Sequence, residues 1–181
     1  MKWSEEQLVV ECLKNNSSAQ KHLFEYYSKR MMGVCLRYTK DHDEAQDVLQ
    51  MGFIKVFEKL DTYNGEGSLE GWIRRVVVNT ALDNIRKNKK NNENIDIEKV
   101  DFLLANNDAN ALDDLKAEDL LKIIQQMPTG FRTVFNMYAI EGYSHKEIAE
   151  QLGITVNTSK SQYSRARVCL QNLLMKEAIT R

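Results

Sequence analysis

The 181-residue sequence is poor in residues that interrupt helices, and it contains a single proline, Pro128. Apolar residues recur mostly at helical spacing, and no segment shows a convincing strand alternation. These features predict an all-α protein. The expected helices cover about residues 4–13, 18–38, 43–60, 68–87, 111–127 and 131–140, with two more after residue 143.

The sequence also lacks the features of secreted and membrane-spanning proteins. Its three cysteines, Cys12, Cys35 and Cys169, are far apart and form no CxxC pair, so neither a disulfide framework nor a zinc site is indicated. No stretch approaches the roughly 18 apolar residues of a membrane span, and the N-terminus has no basic segment followed by an apolar run. We therefore expect an unprocessed, soluble protein of the reducing cytoplasm, with no membrane insertion.

Motifs of catalysis are missing as well, since the sequence has no phosphate-binding glycine loop, nucleophile elbow or HExxH zinc motif. His42-Asp43 resembles the metal-binding dipeptide of phosphohydrolases, and acids crowd around it. The remaining ligands are absent, however, and the chain has only three histidines. An acidic surface with Asp43 as a helix cap is the favoured interpretation. We predict no catalytic residue, metal or cofactor.

Charge is segregated along the chain, although the net charge is only −1. Residues 72–90 carry six Lys or Arg against one acid, and residues 151–176 carry four against none. Between these blocks, residues 93–120 hold nine acids against two lysines. Two basic blocks around an acidic connector predict two modules that bind a polyanion. The expected division is a domain at 1–90, a flexible acidic linker at 91–110 and a second domain at 111–181.

Residues 144–167 have the pattern of a helix-turn-helix. Ser144 and Glu147 form a potential capping box, Gly153 supplies the turn, and Thr155 is the expected cap of a second, basic helix. That helix directs polar and basic side chains outward, which suit base edges and phosphates. They are Asn157, Thr158, Lys160, Ser161, Gln162 and Arg165. The alternative is a plain helical hairpin of a small α domain.

Residues 72–87 form a second basic block, in which Asn79, Asp83 and Arg86 share one helical face. A solvated face with Trp72 as a core aromatic would explain this block. A preceding glycine-bearing loop carries Tyr63 and Asn64, however, and unstacked bases need aromatic faces and nearby cations. Binding of single-stranded nucleic acid is therefore the functional alternative.

Taken together, these blocks and their order resemble bacterial sigma factors of the extracytoplasmic-function group. Residues 43–57 are similar to the family's polymerase-binding helix, residues 71–86 to its promoter-melting helix, and residues 127–135 with the helix-turn-helix to its −35-reading domain. The resemblance implies core RNA polymerase and promoter DNA as partners. It also implies an anti-sigma partner, which in this family is often membrane-linked. Nucleotidyl transfer would belong to the polymerase.

The resemblance also implies roles for individual residues. Those expected to dock on the polymerase are Asp47, Gln50, Phe53 and Lys55. Those expected at the −10 strand, including the loop that receives a flipped base, are Tyr63, Asn64, Ser68, Trp72, Arg75, Asn79, Asp83 and Arg86. Those expected at the −35 element are Asn157, Thr158, Lys160, Ser161, Gln162, Arg165 and Arg167.

Four residues depart from the family pattern. Met51 stands where an acid is frequent and Gly52 where a larger residue is frequent, and glycine within a helix costs about 1 kcal/mol relative to alanine. Ser159 occupies a position that is usually apolar, and Gln162 one that is often arginine. We expect these last two to mark a promoter preference of this chain's own. The rival interpretations are a freestanding DNA-binding regulator that uses only the C-terminal module, and a metal-dependent phosphohydrolase built on His42-Asp43.

Overall fold

The computed structural model describes residues 3–91 and 117–180. The chain separates into two compact units, Met1–Asn91 and Asn92–Arg181. Throughout the described ranges the regular structure is helical, so the all-α prediction is confirmed. The predicted flexible linker at 91–110 lies outside the described residues, except that position 91 is still helical.

The described part of the first unit, residues 3–91, contains four α-helices and a short 3₁₀ turn. They are α1 (Glu5–Leu13), α2 (Ser17–Tyr38), α3 (His42–Glu58), the turn Leu60–Thr62, and α4 (Leu69–Asn91).

Side chains cap these helices at their N-termini. The predicted Ser4 box is present: Gln7 N donates to Ser4 Oγ at 3.2 Å, and Ser4 N donates to Gln7 Oε1 at 3.1 Å. The expected cap of α3 was wrong by two residues, because Asp41 and not Asp43 accepts the backbone N–H of Glu44, at 2.8 Å. Asp43 instead lies in the first turn, where its charge favours the positive end of the helix dipole.

The core of the first unit forms where α2, α3 and α4 pack on one another. Among the largest fully buried side chains are Leu23, Tyr27 and Met31 of α2 and Ile73 and Leu82 of α4. Close packing of α3 on α4 requires a small residue. Gly52 is buried, and a Cβ added there would lie 3.1 Å from Val77 Cγ2. The glycine that departs from the family pattern therefore has a packing explanation.

The second unit contains α5 (Ala117–Gln125), α6 (Thr129–Phe135), which continues into a π-helical segment (Asn136–Ile140), α7 (His145–Leu152) and α8 (Val156–Thr180). Helix α8 packs on α6 and on α7. The buried residues at this centre include Ile123, Val134, Met137, Ile148 and Ala166. Pro128 stands immediately before α6, where a proline disrupts no helical hydrogen bond.

Residues 3–91 and 117–180 contain neither a membrane-spanning helix nor a metal-binding cluster. None of their helices is long and apolar enough to cross a membrane. Nor do the same ranges hold a group of three or more His, Cys, Asp or Glu side chains arranged to bind a metal ion.

Candidate nucleic-acid interface

The helix-turn-helix forms from local hydrogen bonds that its sequence predicts. Glu147 N donates to Ser144 Oγ at 3.2 Å, and Ser144 N donates to Glu147 Oε2 at 2.8 Å, so the capping box is complete. Gly153 ends α7 with φ of 63° and ψ of 37°, a left-handed conformation that favours glycine. Thr155 then caps α8, because Thr158 N donates to its hydroxyl at 3.0 Å. Two helices joined by a tight turn result.

Helix α8 presents most of its predicted DNA contacts to solvent. Asn157, Lys160, Ser161, Arg165 and Arg167 are exposed, and Thr158 and Gln162 are half-buried. The hydroxyl of Thr158 lies 2.8 Å from that of Thr155, so it belongs to the cap. The basic side chains are thus free of the core, whereas the Thr158 hydroxyl has a local partner.

Ser159 corrects an expectation about promoter preference. Its side chain is fully buried, and its hydroxyl lies 3.0 Å from Nδ1 of His145 on α7. The His145 ring stacks on Tyr138 with centroids 4.2 Å apart, and Tyr163 packs on Tyr138 at 4.5 Å. A buried hydroxyl cannot reach a base edge, so Ser159 joins the two helices of the motif and does not read DNA. The polar partner on α7 explains why a usually apolar position tolerates serine.

In the first unit, the loop before α4 is held by its own side chains. The Tyr63 hydroxyl donates to the carbonyl of Gly67 at 2.9 Å, and Asn64 Oδ1 accepts from Glu66 N at 3.1 Å. The glycines at 65 and 67 both have φ near 79°, a region that disfavours other residues. Ser68 accepts from the backbone N–H of Gly71 at 3.1 Å and so caps α4. These hydrogen bonds give the loop a defined conformation.

Two aromatic rings border this loop. The centroids of Tyr63 and Trp72 lie 5.7 Å apart with an interplanar angle of 52°, and both residues are half-buried. Trp72 is therefore neither a fully buried core residue nor a free surface residue. The two predicted strand-binding aromatics do come together.

The predicted face of α4 carries an ion-pair network. Asp83 accepts from Arg86 Nη1 at 2.6 Å and from Lys55 Nζ at 2.9 Å. Asp83, Arg86 and Arg75 are exposed, and Asn79 is half-buried with its Oδ1 enclosed. Lys55 was expected on the polymerase-docking face, but this contact directs it toward α4. Ion pairs this exposed stabilise the fold by only about 0–1 kcal/mol, so the network chiefly sets side-chain positions.

The predicted docking face of α3 is partly corrected. Asp47 and Gln50 are exposed, but Phe53 is only 2% exposed and packs on Phe24 with ring centroids 4.8 Å apart. Phe53 is therefore a core residue and not a docking residue, because a partner cannot reach it without unfolding the helix packing.

Two exposed apolar residues that the sequence did not predict as docking residues lie on the same side of α3. Met51 and Ile54 are 50% and 49% exposed, and they share the helical face of Asp47. The signal was present in the sequence, because both residues fall off the apolar stripe that includes Val48 and Val56. A large apolar side chain on the polar face of a helix is typical of a protein-binding surface.

Two family models match the chain. The model of sigma-70 region 2 matches residues 23–91, and the model of sigma-70 region 4 matches residues 117–170, which together make up about two thirds of the chain. The chain is 27% identical over 183 residues to the RNA polymerase sigma-H factor of Pseudomonas aeruginosa, covering 94% of this chain and 93% of that protein.

Further relatives extend the match. The RNA polymerase sigma factor SigV of Bacillus subtilis is 29% identical over 143 residues, covering 79% of this chain and 83% of SigV. The ECF sigma-E factor of Haemophilus influenzae is 26% identical over 179 residues, covering 93% and 94% respectively. Among solved structures, the fold resembles that of the sigma factor RpoE of Bartonella quintana, solved in complex with the anti-sigma factor NepR. The TM-score is 0.54 and the sequence identity is 23%, and the match covers 86% of this chain and 96% of RpoE. The chain therefore belongs to the extracytoplasmic-function group of the sigma-70 family, and it is a non-enzymatic sigma factor that directs promoter-specific transcription initiation by RNA polymerase.

Proposed function

We propose that α8 of the second unit reads the −35 promoter element as duplex DNA. The observation that carries this proposal is the exposed, acid-free basic face that follows the glycine turn. Lys160, Arg165 and Arg167 neutralise phosphates, and Gln162 and Asn157 have the donors and acceptors for adenine edges. Phosphate contacts set the position of the helix, and the amide side chains select sequence.

The first unit acts on the strands as they separate at the −10 element. A base leaving the duplex loses stacking, which costs a few kcal/mol, and aromatic faces offset that cost. Tyr63 and Trp72 supply such faces beside the loop formed by Asn64 and Ser68. The polar and basic face of α4 follows the strand, with contacts from Arg75, Asn79, Asp83 and Arg86. Because Asp83 already pairs with Arg86, its role includes orienting that guanidinium.

Core RNA polymerase docks on the exposed face of α3. Asp47 and Gln50 supply polar contacts there, and Met51 and Ile54 supply apolar area. Lys55 contributes at the edge of this face, where its ammonium also holds Asp83. Apolar anchors within a polar rim are the usual anatomy of a protein interface.

Regulation by an anti-sigma factor completes the proposed cycle. The Bartonella quintana relative was solved with such a factor, NepR. We infer that this chain acts in the cytoplasm, where polymerase and promoter DNA are found, and that a membrane-linked anti-sigma partner holds it until a signal arrives. The domains at 1–90 and 111–181, separated by a linker at 91–110, provide the two DNA-binding modules of this proposal.

The decisive experiment mixes the purified chain with core RNA polymerase and a library of promoter sequences. We expect initiation from a subset that shares two elements, and initiation indistinguishable from core polymerase alone contradicts the proposal. The selected −35 duplex then serves to test α8. Replacing Lys160 and Arg165 by alanine lowers the affinity and reduces the slope of log K against log salt by about two, since each phosphate contact contributes about 0.9.

A matched control lies on the same helix. Lys176 is exposed and lies sixteen residues beyond Lys160, about 24 Å along the axis. Lys176→Ala removes one charge and leaves the affinity and the salt slope at their wild-type values. Unchanged binding by the Lys160/Arg165 double variant would exclude α8 as the duplex-binding helix.

A further inference from the structure

The first turn of α8 exposes one apolar side chain among polar ones. Val156 is 38% exposed, and it directly follows the capping residue Thr155. Its neighbour Asn157 is exposed. Lys160 is also exposed, and it lies one helical turn beyond Val156 on the same side of α8. A β-branched residue restricts its own rotamers in a helix, and an exposed one returns little packing energy to the fold. More than a third of the Val156 surface is therefore left uncovered and open to a partner.

Three hydroxyls near Val156 already have local partners. The hydroxyls of Thr155 and Thr158 lie 2.8 Å apart, and the Thr155 hydroxyl also accepts from the backbone of Thr158. Ser161 donates its hydroxyl to the carbonyl of Thr158 at 3.0 Å. These contacts occupy the three hydroxyls locally, and the exposed part of Val156 offers an apolar surface beside them at the start of the helix.

The first residues of a recognition helix are the ones that reach base edges in the major groove. That groove carries hydrogen-bonding groups on every base pair and one apolar group, the 5-methyl of thymine. We propose, given the −35 role of α8, that Val156 is a specificity-determining residue that contacts a thymine methyl group in the −35 element. The valine selects thymine over cytosine by contact with the methyl group, and the neighbouring polar residues read the other bases.

Deoxyuridine provides the test, because it differs from thymidine only by that methyl group. Each thymine of the selected −35 duplex is replaced singly by deoxyuridine, and binding of the full-length chain is measured. We expect one position at which the wild type loses about fourfold in affinity, the amount for one methyl-sized group. Val156→Ala binds the thymine duplex about fourfold more weakly than the wild type, and it binds the thymine and uracil duplexes at that position equally.

Ile140→Ala is the matched control, since Ile140 is an exposed β-branched residue of the same unit, 39% exposed, outside the helix-turn-helix. It retains the wild-type preference for thymine over uracil. If no thymine position distinguishes the wild type from Val156→Ala, the methyl contact is refuted. The Lys160/Arg165 variant separates the Val156 hypothesis from the role of α8. If this variant binds DNA more weakly but the wild type shows no thymine-methyl effect, only the role of Val156 is overturned. If the variant binds as the wild type does, the role of α8 itself is overturned.

Discussion

Gly52 offers a sharp test of how α3 and α4 pack. Replacing a helical glycine by alanine ordinarily stabilises a protein by about 1 kcal/mol. At this position the new Cβ would lie 3.1 Å from Val77 Cγ2, closer than the roughly 3.5–4.0 Å of an ordinary carbon contact. Val77 is fully buried and its rotamer is restricted in a helix, so its methyl group cannot swing away. Overpacking of this kind costs about 1–3 kcal/mol. We therefore expect Gly52→Ala to destabilise the first unit by about 1 kcal/mol.

The sign of the effect reverses when the obstructing methyl is removed. In a Val77→Ala background the nearest remaining atom, Val77 Cα, is 3.6 Å from the added Cβ, which is an ordinary contact. Gly52→Ala then stabilises by about 1 kcal/mol, which gives a coupling energy of about 2 kcal/mol in the double-mutant cycle. Gly33 of α2 provides the control, because a Cβ there meets no atom within 4 Å. Gly33→Ala stabilises by about 1 kcal/mol in either background.

Urea unfolding followed by tryptophan fluorescence measures these changes in one unit of the full-length chain. Both tryptophans, Trp3 and Trp72, belong to the first unit, so the signal does not report on the second. If Gly52→Ala stabilises the wild-type background as much as Gly33→Ala does, the contact with Val77 does not explain the glycine, and the reasoning is refuted.

Two further predictions concern buried polar and ionisable groups. Ser159→Ala removes the partner of His145 Nδ1 and destabilises the second unit by about 1 kcal/mol. Thermal unfolding followed by NMR then shows a melting temperature about 4–8 °C lower than that of the wild type. The bases selected from a promoter library stay unchanged. Altered bases together with an unchanged melting temperature would contradict the structural role of Ser159. Burial raises the pKa of the Cys12 thiol to about 11, with the Glu11 charge adding to the effect, and burial raises the pKa of the Cys35 thiol to about 12. Since the unfolded thiols ionise first, near pH 9, stability of the first unit falls as pH rises from about 9 toward 11. Replacing both cysteines by alanine should flatten this decline in urea titrations at several pH values, and an unaltered pH profile would show that the thiols do not cause it.

Features that depend on neighbours in the chain could be predicted from the sequence. The Ser144 capping box, the left-handed Gly153 and the Thr155 cap each involve residues within three or four positions, so the residue types are sufficient to specify them. The Asp41 cap shows the limit of this reasoning. Asp41 and Asp43 are two residues apart, and either side chain could cap a helix. Asp41 is the cap because its backbone is extended, as an N-cap residue requires.

Features that depend on distant residues could not be predicted. The family resemblance implied that Phe53 docks on the polymerase, but Phe53 packs on Phe24 and belongs to the core. Lys55 points toward α4 because it pairs with Asp83 on that helix. The two residues are 28 positions apart in the sequence, so the pair could not be predicted locally. The sequence around a lysine on a polar helical face does not indicate such a partner, because an exposed ion pair between two helices does not change the hydrophobic periodicity of either one.

The sequence by itself determined the helices, the turn and the two basic blocks, because capping, periodicity and charge are local properties of the chain. The order of its motifs carried the resemblance to the family. Tertiary structure alone decided what Ser159 and Gly52 do. Each of these residues is explained by one side chain on another helix, His145 for the serine and Val77 for the glycine. Burial and steric fit arise only when helices pack together, so the sequence could not reveal either role. In the folded unit Ser159 joins two helices instead of marking promoter preference, and Gly52 is required for close packing.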